Sequence, residues 1–227
     1  MTKLPNIAID GPAASGKTTV ARLLASRLGL VYLDTGAMYR AVTFQALKQG
    51  LDLDDEVALE ELSCGMSLDM QPDPDSASGH RLLVDGVDIT AELHSPEVSQ
   101  AVPRVASVPG VRRDMVRRQR RKSEQGGVIM AGRDIGTVVI PEARLKFYLD
   151  ADLLERARRR QADLLSEGRE YSREEVSNQL RERDDIDSSR NDSPLRVAED
   201  AERLDCTSMS AEEVVELVVA RFLESRG

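Results

Sequence analysis

The sequence predicts an α/β fold, a five-stranded parallel sheet flanked by helices and interrupted by a small antiparallel β insertion. Three observations point there. Within residues 1–50, strand-like and helix-like apolar patterns alternate, which is the order that builds a parallel sheet. Three more short strand-like runs follow later in the chain. Between residues 63 and 96 the pattern changes to alternation around a hairpin signal.

Asn6-Ile7-Ala8-Ile9-Asp10 reads as a buried strand ending at Gly11-Pro12. From Lys17, the residues Val20, Leu23, Leu24 and Leu28 recur at helical spacing, and Gly29 stops the helix. Val31-Tyr32-Leu33 is a second strand. Ala41, Val42, Phe44, Ala46 and Leu47 form another helix that ends at Gly50. Met66, Leu68 and Met70 then alternate with Ser67 and Asp69. After the loop Pro72–Gly79, the run Arg81–Val84, the turn Asp85-Gly86 and the run Val87–Ile89 complete a three-stranded antiparallel piece. Val111–Lys122 is a basic helix. Val128–Met130, Lys146–Leu149 and Arg203–Asp205 supply the remaining core strands. Ala151–Arg190 is polar, Arg-rich and helical. Ser172-Arg173-Glu174-Glu175 and Ser210-Ala211-Glu212-Glu213 both fit capping boxes at helix starts. The last helix turns Val214, Val215, Leu217, Val218 and Phe222 to its apolar side.

The sharpest chemical signal is Gly11-Pro12-Ala13-Ala14-Ser15-Gly16-Lys17-Thr18, a G-x-x-x-x-G-K-T match placed between a strand and a helix. Such a loop turns its backbone N–H groups inward, and its glycines allow phosphate oxygens to come close. The helix N-terminus adds partial positive charge. Lys17 is expected to reach the β- and γ-phosphates, and the Thr18 hydroxyl to ligate Mg²⁺. The chain is therefore expected to bind a nucleoside triphosphate. No N/T-K-x-D guanine reader occurs, which argues against a GTPase switch.

Composition narrows the remaining classes. The chain has 227 residues and a net charge of −9, against a general nucleic-acid binder. Of its 31 basic residues, 26 are Arg and five are Lys. That bias fits phosphate recognition by a planar fork as well as compositional drift. Cys64 and Cys206 stand far apart, and with His80 and His94 they form no ligand-spaced cluster. No stretch approaches a signal h-region or a membrane span, so the expectation is a soluble cytoplasmic protein without a membrane partner. Phosphoryl transfer needs positioned cations around repelling anions. Arg40, Arg112, Arg133, Arg156, Arg158, Arg159, Arg160, Arg183 and Arg190 are the candidates, although any single Arg could equally be a solvated surface residue.

GPAASGKTT at 11–19, LDTGAMYRA at 33–41, AGRDIGTVV at 131–139, FYLDA at 147–151, ERARRR at 155–160 and RERDDIDSSR at 181–190 follow one another in order. In this they resemble the bacterial cytidylate kinases, members of the nucleoside monophosphate kinase superfamily of P-loop kinases. The resemblance covers essentially the whole chain. It implies transfer of a phosphoryl group from ATP to CMP and dCMP with Mg²⁺, in a monomer with small-molecule partners only. It divides the chain into a P-loop core (1–62, 97–151 and 191–227), an inserted part of the monophosphate-binding domain (63–96) and a helical lid (152–190).

The resemblance also implies roles. Gly11, Pro12, Ala13, Ala14, Ser15, Gly16, Lys17, Thr18 and Thr19 hold ATP, with Arg156 and Arg160 reaching its phosphates from the lid. Thr35 and Arg40, beside Asp34, hold the acceptor phosphate, and Arg133 clamps it. Asp134 accepts from the cytosine amino group, a pairing suited to a carboxylate, while Arg112 donates to the ring carbonyl and N3. Arg183, Asp187 and Arg190 surround ribose and phosphates. Lys17, Arg133, Arg160 and Arg183 are the implied catalytic residues, and Thr18 is the implied metal ligand. No general base is needed, because the acceptor is already an oxyanion.

Two positions depart from the family pattern. Ala131 stands where many members have an acid, leaving the metal to Thr18, water and Asp34 or Asp134. Pro103 aligns near a Ser that faces cytosine in some members, a part that Ser99 or Ser107 could take. Two rival readings stay open. One is a P-loop kinase for UMP, AMP, dTMP or shikimate. The other is a regulatory or nucleic-acid-binding protein without turnover, supported by the seven cations of Arg112–Lys122 but lacking interleaved aromatics.

Overall fold

The computed structural model describes residues 3–73, 76 and 78–225, so that Pro74, Asp75 and Ala77 of the predicted loop lie outside the described residues. Its centre is a parallel sheet of β1 (Ile7–Asp10), β2 (Val31–Asp34), β6 (Val128–Gly132), β7 (Leu145–Asp150) and β8 (Glu202–Asp205), in the spatial order β2-β6-β1-β7-β8. Alternation along the strands separates two apolar layers. Ile7, Ile9, Ile129, Ala131, Phe147 and Leu149 pack with the helices α1 (Lys17–Leu28) and α8 (Ala211–Glu224). Ala8, Leu33 and Met130 face the other way, toward α2 (Thr35–Lys48) and α5 (Pro109–Ser123). The expected five-stranded parallel sheet is thus present and covered by helices on both faces.

The insertion is a separate three-stranded antiparallel sheet, β3 (Leu68–Pro72), β4 (His80–Val84) and β5 (Val87–Asp88). Asp85 and Gly86 both adopt positive φ, 51° and 80°, as a two-residue hairpin turn requires. The sheet meets the core through Leu82, Val84 and the adjoining Ile89, which are buried in the same apolar cluster as Ala8 and Val42, and His80 lies edge-to-face with Tyr32.

Two helices were not anticipated: α3 (Glu56–Gly65) and α4 (Pro96–Val105). Asp55 caps the first by accepting from Ala58 N, and Ser95 caps the second by accepting from Val98 N. Helix α2 begins at Thr35, six residues before the first apolar residue read as helical, because Asp34 accepts from Ala37 N and starts the turn there. Leu217 is 38% exposed, against the expectation that it faces inward, whereas Val214, Val215, Val218 and Phe222 are buried. The polar segment resolves into α6 (Leu153–Ser166) and α7 (Arg173–Ser189), which pack through Ala157, Leu164, Val176 and Leu180. Both expected capping boxes form, at Ser172 with Glu175 and at Ser210 with Glu213. No helix among the described residues is long and apolar enough to cross a membrane.

The central strand sets the height of the loop that follows it. Ile9 is fully buried between β6 and β7. Ile9→Ala should lower unfolding stability by about 2–5 kcal/mol, the usual result of opening a cavity in a packed core, as read from urea melts.

Candidate active site

The loop after β1 is held in a shape that few residues permit. Gly11 has φ 150°, and a Cβ there would sit 2.1 Å from the carbonyl oxygen of Leu149. Gly16, with φ 94°, precedes α1, and Ala14 also takes positive φ, 59°. Lys17 folds back over the loop, its Nζ donating to Pro12 O at 2.5 Å and to Ser15 Oγ at 3.2 Å. Burial, reinforced by Arg133 and Arg183, pushes the Lys17 ammonium well below the ordinary lysine value. Thr18 and Thr19 are exposed on the first turn of α1. The loop is braced from α6 and α7. Arg156 donates to Ala13 O at 3.1 Å and to Asp184 Oδ2 at 2.6 Å, while Ala13 N donates to Asp184 Oδ1 at 3.3 Å.

Beside Lys17 lies a cluster of guanidinium groups from four elements. Arg40 comes from α2, Arg133 from the segment after β6, Arg160 from α6 and Arg183 from α7. Arg183 is held down to about 9, first by burial and then by Arg133, with Arg40 and Arg160 adding to the effect. Arg40 is lowered by burial, with Arg160 and Arg133 contributing. An arginine does not give up its proton in such a place. These depressions express burial first and neighbouring positive charge second, with Asp187 opposing them at Arg183 and Asp34 at Arg40. Asp187 is the main internal counterion, accepting from Arg133 Nε at 2.7 Å and lying 3.6 Å from Arg190 Nη2. Burial pushes its carboxyl up, but Arg133, Arg183 and Arg190 outweigh that and hold it below the usual aspartate value.

A third group lies next to this cluster. Arg112 and Asp134 form a buried ion pair, and Arg112 Nη1 donates to Ala106 O at 3.1 Å. The Arg112 guanidinium sits 5.4 Å from the centre of the Tyr39 ring. Arg190 Nη1 reaches the same Ala106 carbonyl at 3.5 Å. Arg112 Nε is buried without a hydrogen-bond partner, and Arg190 Nη2 has only its long ion pair to Asp187.

Most of the residues singled out in the sequence therefore converge on one region at the C-terminal ends of the parallel strands, where α/β sheets bind ligands. Some have prior engagements. Thr35 Oγ1 donates to Ala131 O at 2.7 Å, so its proton is committed to β6. Asp34 caps α2. Arg40 donates to Leu93 O and Ser99 Oγ, each at 3.0 Å. Of the two substitutes for the Pro103 position, Ser99 thus touches the site through Arg40. Ser107 closes back on Arg104 O at 2.6 Å. Three residues escaped the sequence reading: Asp10, Tyr39 and Asp184, whereas Arg159, one of the candidate arginines, has its Nη1 3.7 Å from where a Cβ on Gly16 would be. Asp10 had a signal, an acid closing an otherwise apolar strand. It is 4% exposed, and its two oxygens accept from Ile135 N at 2.8 Å and Gly136 N at 2.7 Å. Burial raises its carboxyl to about 6 in spite of those two bonds.

Comparison with known proteins agrees over the full length. The sequence profile of the family described as Cytidylate kinase matches residues 7–224. The chain is 49% identical over 227 residues to the cytidylate kinase of Pelotomaculum thermopropionicum, covering 100% of this chain and 99% of that one. It is 48% identical over 219 residues to the cytidylate kinase of Geobacillus kaustophilus, covering 96% of each. Among solved structures, an uncharacterized protein from Eubacterium ventriosum superposes with a TM-score of 0.50 at 12% identity, covering 96% of this chain and 98% of that one, a likeness of fold alone.

Removing the internal counterion should expose the strain in the cluster. Asp187→Ala is expected to cost about 3–5 kcal/mol in urea unfolding, as when one partner of a buried ion pair is deleted. Sulfate should raise the variant's unfolding midpoint more than the parent's, because a bound dianion can stand in for the lost carboxylate.

Proposed function

The chain belongs to the cytidylate kinase family and is a nucleoside monophosphate kinase, and we propose that it transfers the γ-phosphoryl group of ATP directly onto CMP and dCMP, giving ADP with CDP or dCDP. The observation that carries this reading is the adjacency of three parts: the phosphate loop with Lys17, the cluster Arg40, Arg133, Arg160 and Arg183, and the buried pair Arg112–Asp134. A triphosphate, a monophosphate and a base are the matching ligand groups.

In this reading the loop 11–19 wraps the β- and γ-phosphates, and Lys17 reaches them as a cation. Arg40, Arg133 and Arg183 draw the acceptor phosphate toward the γ-phosphorus. An acceptor oxygen attacks in line, the bond from γ-phosphorus to the bridging oxygen breaks, and ADP leaves with that electron pair. No proton must move, because the nucleophile is already ionised. Catalysis consists of alignment and charge neutralisation. Arg160, on α6, closes over the transferring group, with 152–190 moving as the lid. Arg156 and Asp184 tie the lid to the loop's backbone at Ala13. The insertion 63–96 belongs to acceptor binding, as the bond from Arg40 to Leu93 O supports, and the rest of the chain forms the core.

The residues present fit a nucleotide-borne Mg²⁺. Thr18 is exposed on the first turn of α1, next to the loop, and no three His, Cys, Asp or Glu side chains gather into a cage among the described residues. This suits an ion that keeps most of its water and binds chiefly through phosphate. When bound, Mg²⁺ would neutralise the phosphate oxygens and help orient them.

For the base, Asp134 accepts from the cytosine 4-amino group, while Arg112 donates to the ring carbonyl and N3. Uracil presents an acceptor where Asp134 needs a donor. Asp187 and Arg190 border the sugar and phosphate.

A coupled ADP-release assay over CMP, dCMP, UMP, AMP, dTMP and shikimate tests the assignment, with CMP and dCMP expected far above the rest. Asp134→Ala should reduce kcat/KM for CMP by about 10- to 100-fold, the scale of one lost base contact, with ATP affinity kept. Lys17→Ala should impair every acceptor alike. Equal losses with CMP and with a poor acceptor on Asp134→Ala would remove its role as base reader.

A further inference from the structure

Arg133 and Asp134 do not lie on a regular element. They precede a single wide turn, 135–139, in which Val139 N donates to Asp134 O at 3.1 Å and Ile140 N to Ile135 O at 2.8 Å. So short a turn leaves its first N–H groups and last carbonyls without partners of their own. Both ends are closed by charged side chains from elsewhere in the chain. At the start, Asp10 accepts from Ile135 N and Gly136 N, one on each carboxylate oxygen. At the end, Arg120 of α5 donates from Nε to Val139 O at 3.0 Å and from Nη2 to Val138 O at 2.6 Å. Each charge has the sign that its end of the turn favours.

Asp10 is also the residue before Gly11, and it is paired in the sheet with Gly132, the residue before Arg133. One carboxylate therefore stands at the root of both the loop that faces the triphosphate and the segment carrying Arg133 and Asp134. Around it are Lys17 from α1, Asp134, and Lys146 of β7, which touches the same Gly136. None of these gives Asp10 a hydrogen-bonded counterion. A carboxylate buried without such a partner is costly unless backbone donors replace its water, and the turn supplies two.

We propose that Asp10 is a positioning residue that sets the distance between the triphosphate loop and the acceptor clamp by holding the turn 135–139 against the start of that loop. The proposal rests on the reading of Arg133 and Asp134 as acceptor-binding groups. It requires no direct contact between Asp10 and substrate. The phosphate loop has separate fastenings, Arg156 and Asp184 at Ala13. Loosening the turn should therefore disturb the acceptor side first.

Asp10→Asn keeps the shape but turns an amide donor toward one of the two N–H groups. The expected outcome is a drop of about tenfold in kcat with a raised KM for CMP, the scale of one lost charge-assisted hydrogen bond. ATP affinity, measured by calorimetric titration, should stay within about twofold of the parent. Arg120→Gln loosens the far end of the same turn from outside the site, and should shift KM for CMP and kcat in the same direction by a smaller factor. If Asp10→Asn does not fold, Arg120→Gln decides alone. Loss of ATP affinity in step with the CMP effect would overturn the proposal, since Asp10 would then only support the loop. Unchanged CMP kinetics in the folded variants would overturn it too. Asp134→Ala run alongside separates the two levels. If it leaves KM for CMP untouched, the acceptor reading fails. If it raises KM while Asp10→Asn and Arg120→Gln do not, only the positioning role falls.

Discussion

Everything in this molecule is arranged around mutual repulsion among cations. Lys17, Arg40, Arg133, Arg160 and Arg183 come from five different segments and crowd together, with Asp10, Asp34 and Asp187 offsetting part of their repulsion. Left to itself, such a cluster would push its elements apart. It persists because each side chain grows from an element anchored by apolar burial, and because Asp187 sits where three guanidinium groups meet. On the proposed reading, anionic ligands would add the counter-charge that such a cluster favours.

The sheet makes this arrangement possible. Parallel strands end at a common edge, and the segments leaving β1, β2 and β6 there carry the phosphate loop, the start of α2 and the Arg133 segment. Apolar layers on both faces, Ile7 and Ile9 with α1 and α8, Ala8 and Met130 with α2 and α5, hold that edge in register. The cations then meet at short range without any covalent tie between their segments.

How much of this could be read from the residues depended on how local the cause was. The strand, loop and helix around Gly11–Lys17 were legible because glycine geometry and apolar spacing are short-range properties, and so were the Asp85-Gly86 hairpin and the two capping boxes. Helix α3 was missed because its buried face is thin, and α4 because a proline interrupts its Val98, Val102 and Val105 stripe. Only Leu59 and Ser63 of α3 are buried, and the proline inside α4 is Pro103. Leu217 has the right residue type but falls outside the stripe that Val214, Val218 and Phe222 define. The arginines of the candidate site were legible as motif members, whereas their fastenings were not. Asp10 meets Ile135 across 125 positions, and Arg156 meets Ala13 across 143. Nothing in a linear pattern reports a partner so remote.

The Arg112–Asp134 pair has a consequence of its own. The two charges already pair with each other, with the Tyr39 ring beside Arg112 and Ala106 O accepting from it. On the proposed reading, a nucleobase does not drop into a vacant slot but displaces a sitting tenant. A heterocycle that offers a donor to the acid and acceptors to the guanidinium lets both charges change partners without ever standing bare. One with the opposite arrangement would have to prise them apart and leave each stranded, so the latch stays shut. Fidelity then resides in the intruder's failure to enter, more than in any tighter grip on the favoured guest.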